Sequence, residues 1–190
     1  MKTHILTLVA VLASGLALPI QAGSDLSTAL QLRACQGCDL SANNLSGKDL
    51  SFIDLTAATL SQSNLSQANL SGSILVQAVL SEVNFSDGLA IQTNFTNANL
   101  SRSNLSGTDF TAALMASAVL DESNLIGARF TGAQLSGASF QGAVLNGTNL
   151  DNAQLSYANF TGAVLTDVST KGAAFCKTIM PNGTLNDSDC

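Results

Sequence analysis

The sequence predicts an all-β solenoid, a coil with four walls in which one circuit takes about 20 residues. Of the 26 positions numbered in fives from 40 to 165, 24 are Leu or Phe, and only Ala90 and Met115 depart. The residue two before each of these positions is usually small. Neither a helix nor a flat strand keeps every fifth residue on one side, so the five-residue units must stack on their neighbours.

Residues 1–22 are predicted to form a secretory signal. Lys2 precedes an apolar run over residues 5–18, and cleavage is expected after Ala22. The alternative is an uncleaved membrane anchor, although the run is shorter than the about 20 residues of a membrane span. After cleavage we expect no membrane insertion. Six basic and 13 acidic residues then remain, a formal charge of −7, so no nucleic-acid binding is expected, because it requires clustered Lys and Arg.

Residues 23–37 are predicted to cap the coil at its N-terminal end. Ser24 can cap a short helix over residues 24–33, on which Leu26, Ala29 and Leu30 share one face. The repeat then occupies residues 38–175. Residues 176–190, which contain a Pro-Asn-Gly turn, are predicted to form a C-terminal cap.

The interior of the coil is predicted from the spacing of its walls. If each five-residue unit forms one wall, residues 20 apart lie over each other, and coils about 4.8 Å apart leave room for one large and one small side chain per wall. Phe110 should then lie over Phe130, and Phe140 over Phe160. The Asn, Asp, Ser, Thr and Gly residues between them are interpreted as corner residues.

Regularity fails between residues 74 and 91, where Ala90 replaces a large residue and Ser86-Asp87-Gly88 is interpreted as a loop. An exposed apolar cluster can mark a partner surface. The alternative is a local kink that buries these residues against each other or against a second copy of the repeat. The outward-facing apolar residues concerned are Ile74, Val76, Val79, Leu89 and Ile91.

The unit Ala-(Asp/Asn)-Leu-x-x, carried from residue 38 to about residue 175, resembles the pentapeptide-repeat family. That resemblance implies a right-handed quadrilateral β-helix. The flanking segments, with Cys35-Gln-Gly-Cys38 at the start and Asp189-Cys190 at the end, resemble exported pentapeptide-repeat proteins of cyanobacteria and the chloroplast lumen. The resemblance therefore implies a location in the periplasm or thylakoid lumen, and it implies no reaction.

Four cysteines in an exported chain suggest two disulfides. The stacking places one pair about 34 Å from the other, so Cys35 should bond Cys38 and Cys176 should bond Cys190. The same separation excludes a four-cysteine zinc site within one chain. The Cys35–Cys38 bridge has two interpretations, a structural bridge or a redox switch.

No enzyme, catalytic residue, cofactor or metal site is predicted. Without its signal the chain has no His, no Gly-rich phosphate loop with its Lys, and no evident pair of carboxylates. The favoured hypothesis is an exported scaffold that binds an unidentified protein, with a homodimer as a further hypothesis.

Two alternative functions are also considered for this chain. One is an acidic DNA mimic that modulates a topoisomerase, as in a branch of the same family. Export and the absence of a dense acidic stripe argue against it. The other is a redox-responsive lumenal protein acting through Cys35 and Cys38. Ice binding would need a flat Thr array, which this chain does not supply.

Overall fold

The computed structural model describes residues 30–190 and shows a four-walled parallel coil. Isolated parallel bridges join residues 20 apart in unbroken register, from Ala34 and Asp54 to Asn159 and Ile179. The stacking predicted from the period of five is therefore confirmed. The signal segment 1–22 and most of the proposed N-terminal helix lie outside the described residues, and residues 30–32 are helical.

Each wall carries a large inward residue, a small inward residue two before it, and between them an outward residue that forms the bridge. The walls follow one another in chain order, so A is opposite C, and B is opposite D. We name them by their large inward residues, in steps of 20: wall A from Leu40 to Phe160, wall B from Leu45 to Leu165, wall C from Leu50 to Leu150, and wall D from Leu55 to Leu155.

Backbone hydrogen bonds between coils follow one rule along the rod. The large inward residue and the second residue after it donate their N–H groups to the next coil, as Leu125 does to the carbonyl of Val144 at 2.8 Å and Gly127 to that of Asn146 at 2.9 Å. The outward residue donates in the other direction, as Val144 does to the carbonyl of Ser123 at 2.9 Å. Each coil therefore needs a following coil to satisfy its donors.

The corners are turns whose second residue after the large inward position has a positive φ. Gly132 has a φ of 67° there, and Ala112, one coil earlier on the same corner, has a φ of 56°. Glycine adopts this conformation without strain, whereas residues with a Cβ adopt it at a cost. The prediction that the repeated glycines lie at corners is confirmed.

Aromatic side chains stack along the interior as the 20-residue circuit predicts. The rings of Phe110 and Phe130 are 4.8 Å apart and inclined by 6°, and those of Phe140 and Phe160 are 4.7 Å apart at the same angle. All four are fully buried. These contacts confirm the register independently of the backbone.

The loop predicted at residues 86–88 is wrong, because the bridges and hydrogen bonds continue through it. Asp87 lies at an ordinary corner with a φ of 53°, and the Phe85 ring occupies the space beside Gly88. Phe85 also packs edge-on against Phe110, with ring centroids 6.2 Å apart. Large rings next to small residues keep the core filled where Ala90 interrupts the repeat.

A short antiparallel hairpin follows the last coil. Strand β1 is Thr178–Ile179 and strand β2 is Leu185–Asn186. A disulfide joins Cys176 to Cys190 beside this hairpin, and a second joins Cys35 to Cys38 at the other end of the rod. Within residues 30–190, no helix is long and apolar enough to cross a membrane.

Candidate functional site

Wall D carries the row of outward residues on which an apolar surface is built. Asp54, Ile74, Asn94 and Leu114 are joined in succession by parallel bridges, so they stand one above another. The side chains of Ile74 and Leu114 are 42% and 36% exposed. Because the neighbouring strands in such a ladder are about 4.8 Å apart, Ile74 and Leu114 lie about 9.6 Å apart on the same side of the rod, with Asn94 between them.

The two corners that flank wall D extend this surface. On one corner, Phe52 is 75% exposed, and its ring lies over Gly72, where an added Cβ would be 2.5 Å from a ring carbon. Ile91 is half-buried on the same corner, and Val76 is half-buried on the other. We call this surface the wall D face, and define it as Phe52, Ile74, Val76, Ile91 and Leu114.

The partner surface proposed from sequence divides between walls in the structure. Val79 lies outward on wall A and Leu89 outward on wall C, which face opposite directions. Each wall takes five residues, so residues ten apart lie on opposite walls and cannot both contact one flat partner. Ile74, Val76 and Ile91 share the wall D side.

Two residues of the wall D face were missed by the sequence analysis. Phe52 lies at a corner position usually filled by Gly or a polar residue, and Leu114 lies at an outward position where Asn and Asp are frequent. Both lie outside residues 74–91, the segment in which the repeat was predicted to be irregular. A search for apolar residues at outward and corner positions over the whole repeat would have found them.

The polar groups on wall D are occupied by local hydrogen bonds. Asn94 accepts from the N–H and hydroxyl of Thr96 at 3.0 and 2.7 Å. Asp54 accepts from the N–H and hydroxyl of Thr56 at 2.9 and 2.6 Å, and also from the Gln36 amide. Partial burial raises the pKa of Asp54, but these donors outweigh it and the net pKa is lowered. The apolar side chains are therefore the groups of the wall D face that are most available to contact a partner.

Charged residues are spread around the rod rather than gathered on one side. Glu82 pairs with Arg102 at 3.0 Å on the corner between walls A and B, and Asp109 pairs with Arg129 at 3.9 Å on wall C. In the described part of the chain, no group of three or more His, Cys, Asp and Glu residues could hold a metal ion.

The Cys35–Cys38 bridge is enclosed in the first coil. Its cysteines are 1% and 4% exposed, and their Cα atoms are 5.3 Å apart. Cys35 takes the position of a large inward residue, and Cys38 takes that of the small inward residue across the corner. Such a corner brings two inward Cβ atoms within reach of a disulfide. The burial favours a structural bridge, because thiol–disulfide exchange requires access to a sulfur.

Comparison with known families agrees with this architecture. A family model described as Pentapeptide repeats matches in eight copies, over residues 35–72, 63–88, 78–115, 93–132 and 128–167. The chain belongs to the pentapeptide-repeat family. Proteins of this family adopt a right-handed quadrilateral β-helix.

Several solved structures are similar to this pentapeptide-repeat protein. HetL, a pentapeptide repeat protein involved in heterocyst differentiation regulation in the cyanobacterium Nostoc, is 27% identical over 80% of this chain and 91% of its own, with a TM-score of 0.29. A pentapeptide repeat protein from the thylakoid lumen of Arabidopsis thaliana is 28% identical over 60% of this chain and 69% of its own, with a TM-score of 0.32. Another Nostoc pentapeptide repeat protein is 30% identical over 55% of this chain and 84% of its own, with a TM-score of 0.44. No curated protein matches the sequence.

Proposed function

We propose that this pentapeptide-repeat protein is an exported, non-enzymatic scaffold that binds a protein partner through the wall D face. The observation that carries the proposal is the placement of five apolar side chains on one side of the rod, two of which, Ile74 and Leu114, lie in the same outward row on either side of Asn94. Apolar patches of this kind mark interaction sites, and aromatic anchors such as Phe52 contribute strongly to binding.

The packing of the rod supports binding on its outside. The large inward residues from Leu45 to Leu155 are fully buried, and the small inward residues fill the space between them. A substrate has no room between the described walls along this length. The continuous ladder also holds the outward side chains in fixed positions, so a partner would meet a surface already organised for binding.

Export is the second part of the proposal. It is supported by the signal-like pattern of residues 1–22 and by the two disulfides, which are typical of oxidising compartments. One similar structure belongs to a protein of the thylakoid lumen. Periplasm and thylakoid lumen both fit this reasoning, and fractionation of the source cells would distinguish them from the cytoplasm.

A photo-cross-linking amino acid at Phe52, used in the compartment that holds the protein, tests the wall D face. We expect it to capture a defined protein, which purified separately should bind the wild type and bind the variant with Ile74→Asp and Leu114→Asp at least tenfold more weakly. Val164→Asp is the control for an outward charge on another wall, because Val164 is an outward aliphatic residue on wall B with 47% exposure.

Equal losses of affinity in the wall D variant and the Val164 control would refute the assignment of the face. Cross-links between copies of this chain alone would also refute a separate partner, and would instead make wall D an interface of a homodimer. Circular dichroism of each variant would verify that its coil is intact.

A further inference from the structure

The last coil has its four large inward positions at Phe160, Leu165, Thr170 and Phe175. On two of its walls, backbone N–H groups have no hydrogen-bond acceptor among the described residues. In every lower coil, the N–H of the large inward residue and that of the second residue after it donate to the next coil. On walls B and C of the last coil, no described residue accepts from the equivalent N–H groups. These donors belong to Leu165, Asp167, Thr170 and Gly172.

The other two walls of the same coil are covered by the chain itself. On wall A, Phe160 donates to the carbonyl of Ile179 at 2.8 Å, so the hairpin serves as the next coil. On wall D, the N–H of Phe175 donates to the Asp189 carboxylate at 2.9 Å, and that of Lys177 to the Asp187 carboxylate at 2.8 Å. The chain thus supplies acceptors for two walls, and none of its described residues does so for walls B and C.

Two carbonyl groups complete the open edge. Between two coils in the middle of the rod, the outward N–H groups of Val144 and Asn149 donate to the carbonyls of Ser123 and Ala128 in the preceding coil. The equivalent carbonyls of the last coil, those of Ala163 and Val168, accept from no described residue. The edge therefore presents four donors and two acceptors in the pattern that every other coil uses to hold its neighbour.

An apolar cavity lies directly beside this edge. Its volume is about 300 Å³, the lower end of the range for ligand sites. It is the interior of the last coil, left open because none of the residues 30–190 forms a further coil over it and because Thr170 stands where the repeat places Leu or Phe. Its apolar lining consists of Leu150, Phe160, Leu165, Val168, Phe175 and Met180.

We infer that this end of the rod binds an extended peptide segment of a partner protein, which adds the missing half-coil on walls B and C. The open edge fixes the backbone of the segment through six hydrogen bonds, as in strand addition to a sheet edge. The cavity selects large apolar side chains five residues apart, since that spacing places one on each wall. This site is separate from the wall D face and does not depend on its partner.

The chain's own residues 143–152, Ala-Val-Leu-Asn-Gly-Thr-Asn-Leu-Asp-Asn, provide a defined probe when made as an acetylated and amidated peptide. In the protein this segment covers walls B and C of the coil below, through the same set of bonds. Added to the oxidised full chain, it should slow hydrogen exchange at the amides of Leu165, Asp167, Thr170 and Gly172 at least tenfold. The absence of protection at millimolar peptide would overturn the inference.

Two N-methylated peptides separate backbone pairing from apolar adhesion. Methylation at the residues that correspond to Val144 and Asn149 removes the N–H groups directed at the edge, and should weaken binding at least tenfold. Methylation at those that correspond to Leu145 and Leu150 alters N–H groups directed away from the edge, and should leave affinity within about threefold by the rule that relates coil to coil. Equal affinities for the two peptides would contradict strand addition.

Two protein variants test the cavity. Val168→Asp places a charge inside it and should reduce peptide affinity at least tenfold, whereas Thr166→Asp places the same charge on the exposed corner and should not. Protection of the four amides that rises with protein concentration without any peptide would overturn the partner segment in favour of a second copy of the chain. The peptide variants keep the test decisive if Val168→Asp fails to fold.

Discussion

For Gly88→Ala, the sequence repeat and the structure predict opposite changes in the free energy of unfolding. Ala is the most frequent residue at the small inward position, so the repeat alone predicts that Ala at residue 88 would stabilise the coil. The φ of Gly88 lies outside the left-handed region, so the backbone accepts a Cβ. The Phe85 ring decides against it, because the added Cβ would be 2.1, 2.4 and 2.8 Å from three ring carbons.

The magnitude follows from two opposing terms. Replacing Gly by Ala at a compatible position stabilises by about 0.4–1 kcal/mol, through the entropy of the unfolded chain. Overpacking a core costs about 1–3 kcal/mol. The ring is buried and is held edge-on against Phe110, so it cannot move away freely. We therefore expect Gly88→Ala to lower the free energy of unfolding by about 1.3 kcal/mol, the difference between the midpoints of the two ranges.

A double-mutant cycle with Phe85→Leu measures the clash directly. Leu is shorter than Phe, so in that background Gly88→Ala should be neutral or stabilising, with a coupling of about 1 kcal/mol or more. Guanidinium unfolding followed by far-ultraviolet circular dichroism gives all four free energies. Stabilisation by Gly88→Ala alone, or additive effects of the two substitutions, would refute the packing argument.

Three further predictions concern the corners and the C-terminal cap. Gly132→Ala should destabilise the protein by about 1 kcal/mol through the positive φ of this residue alone, because no atom lies within 4 Å of the added Cβ. Ala112→Gly on the same corner should cost no stability. Equal costs of the two substitutions in chemical unfolding would contradict this reasoning. Cys176→Ser opens a loop of 14 residues and should destabilise the cap by about 3 kcal/mol, so hydrogen exchange should rise in the hairpin and not in the central coils. The N–H of Phe175 lowers the pKa of Asp189 below its ordinary 3.8, so the stabilisation from this hydrogen bond is present above that value and is lost as the pH falls through the lower folded value. The protection factor of the Phe175 amide, its slowing relative to the intrinsic exchange rate at the same pH, should therefore fall on acidification in the wild type and not in Asp189→Asn, which keeps the acceptor.

Much of the fold could be predicted because its information is local. A Leu or Phe at every fifth position specifies a wall, and 20 residues per circuit specify which residues lie over each other. The stacking of Phe140 on Phe160 follows from that register. The loop prediction at residues 86–88 failed because it treated Gly88 as a turn residue. Its small size instead matches the Phe85 ring, a fit between two walls that no local pattern reveals.

The candidate site was predicted less completely than the fold. Outward apolar residues can be found from their place in the repeat, but the side of the rod they share depends on the wall each one occupies. Val79 and Leu89 are close in sequence and lie on opposite walls, whereas Ile74 and Leu114 are far apart in sequence and lie in one row. The cluster seen along the chain was therefore only partly a cluster in space.

The sequence by itself determined the period, the four walls, the inward residues and the order in which they stack, because each depends on spacing along the chain. The tertiary structure decided which side chains share a face, how large rings compensate for small residues, and where the coil stops being covered. The open donors at the C-terminal end show the reason. Whether an N–H group has a partner depends on which residues lie one coil further on. At this end, the hairpin supplies acceptors for wall A and the Asp187 and Asp189 carboxylates supply them for wall D.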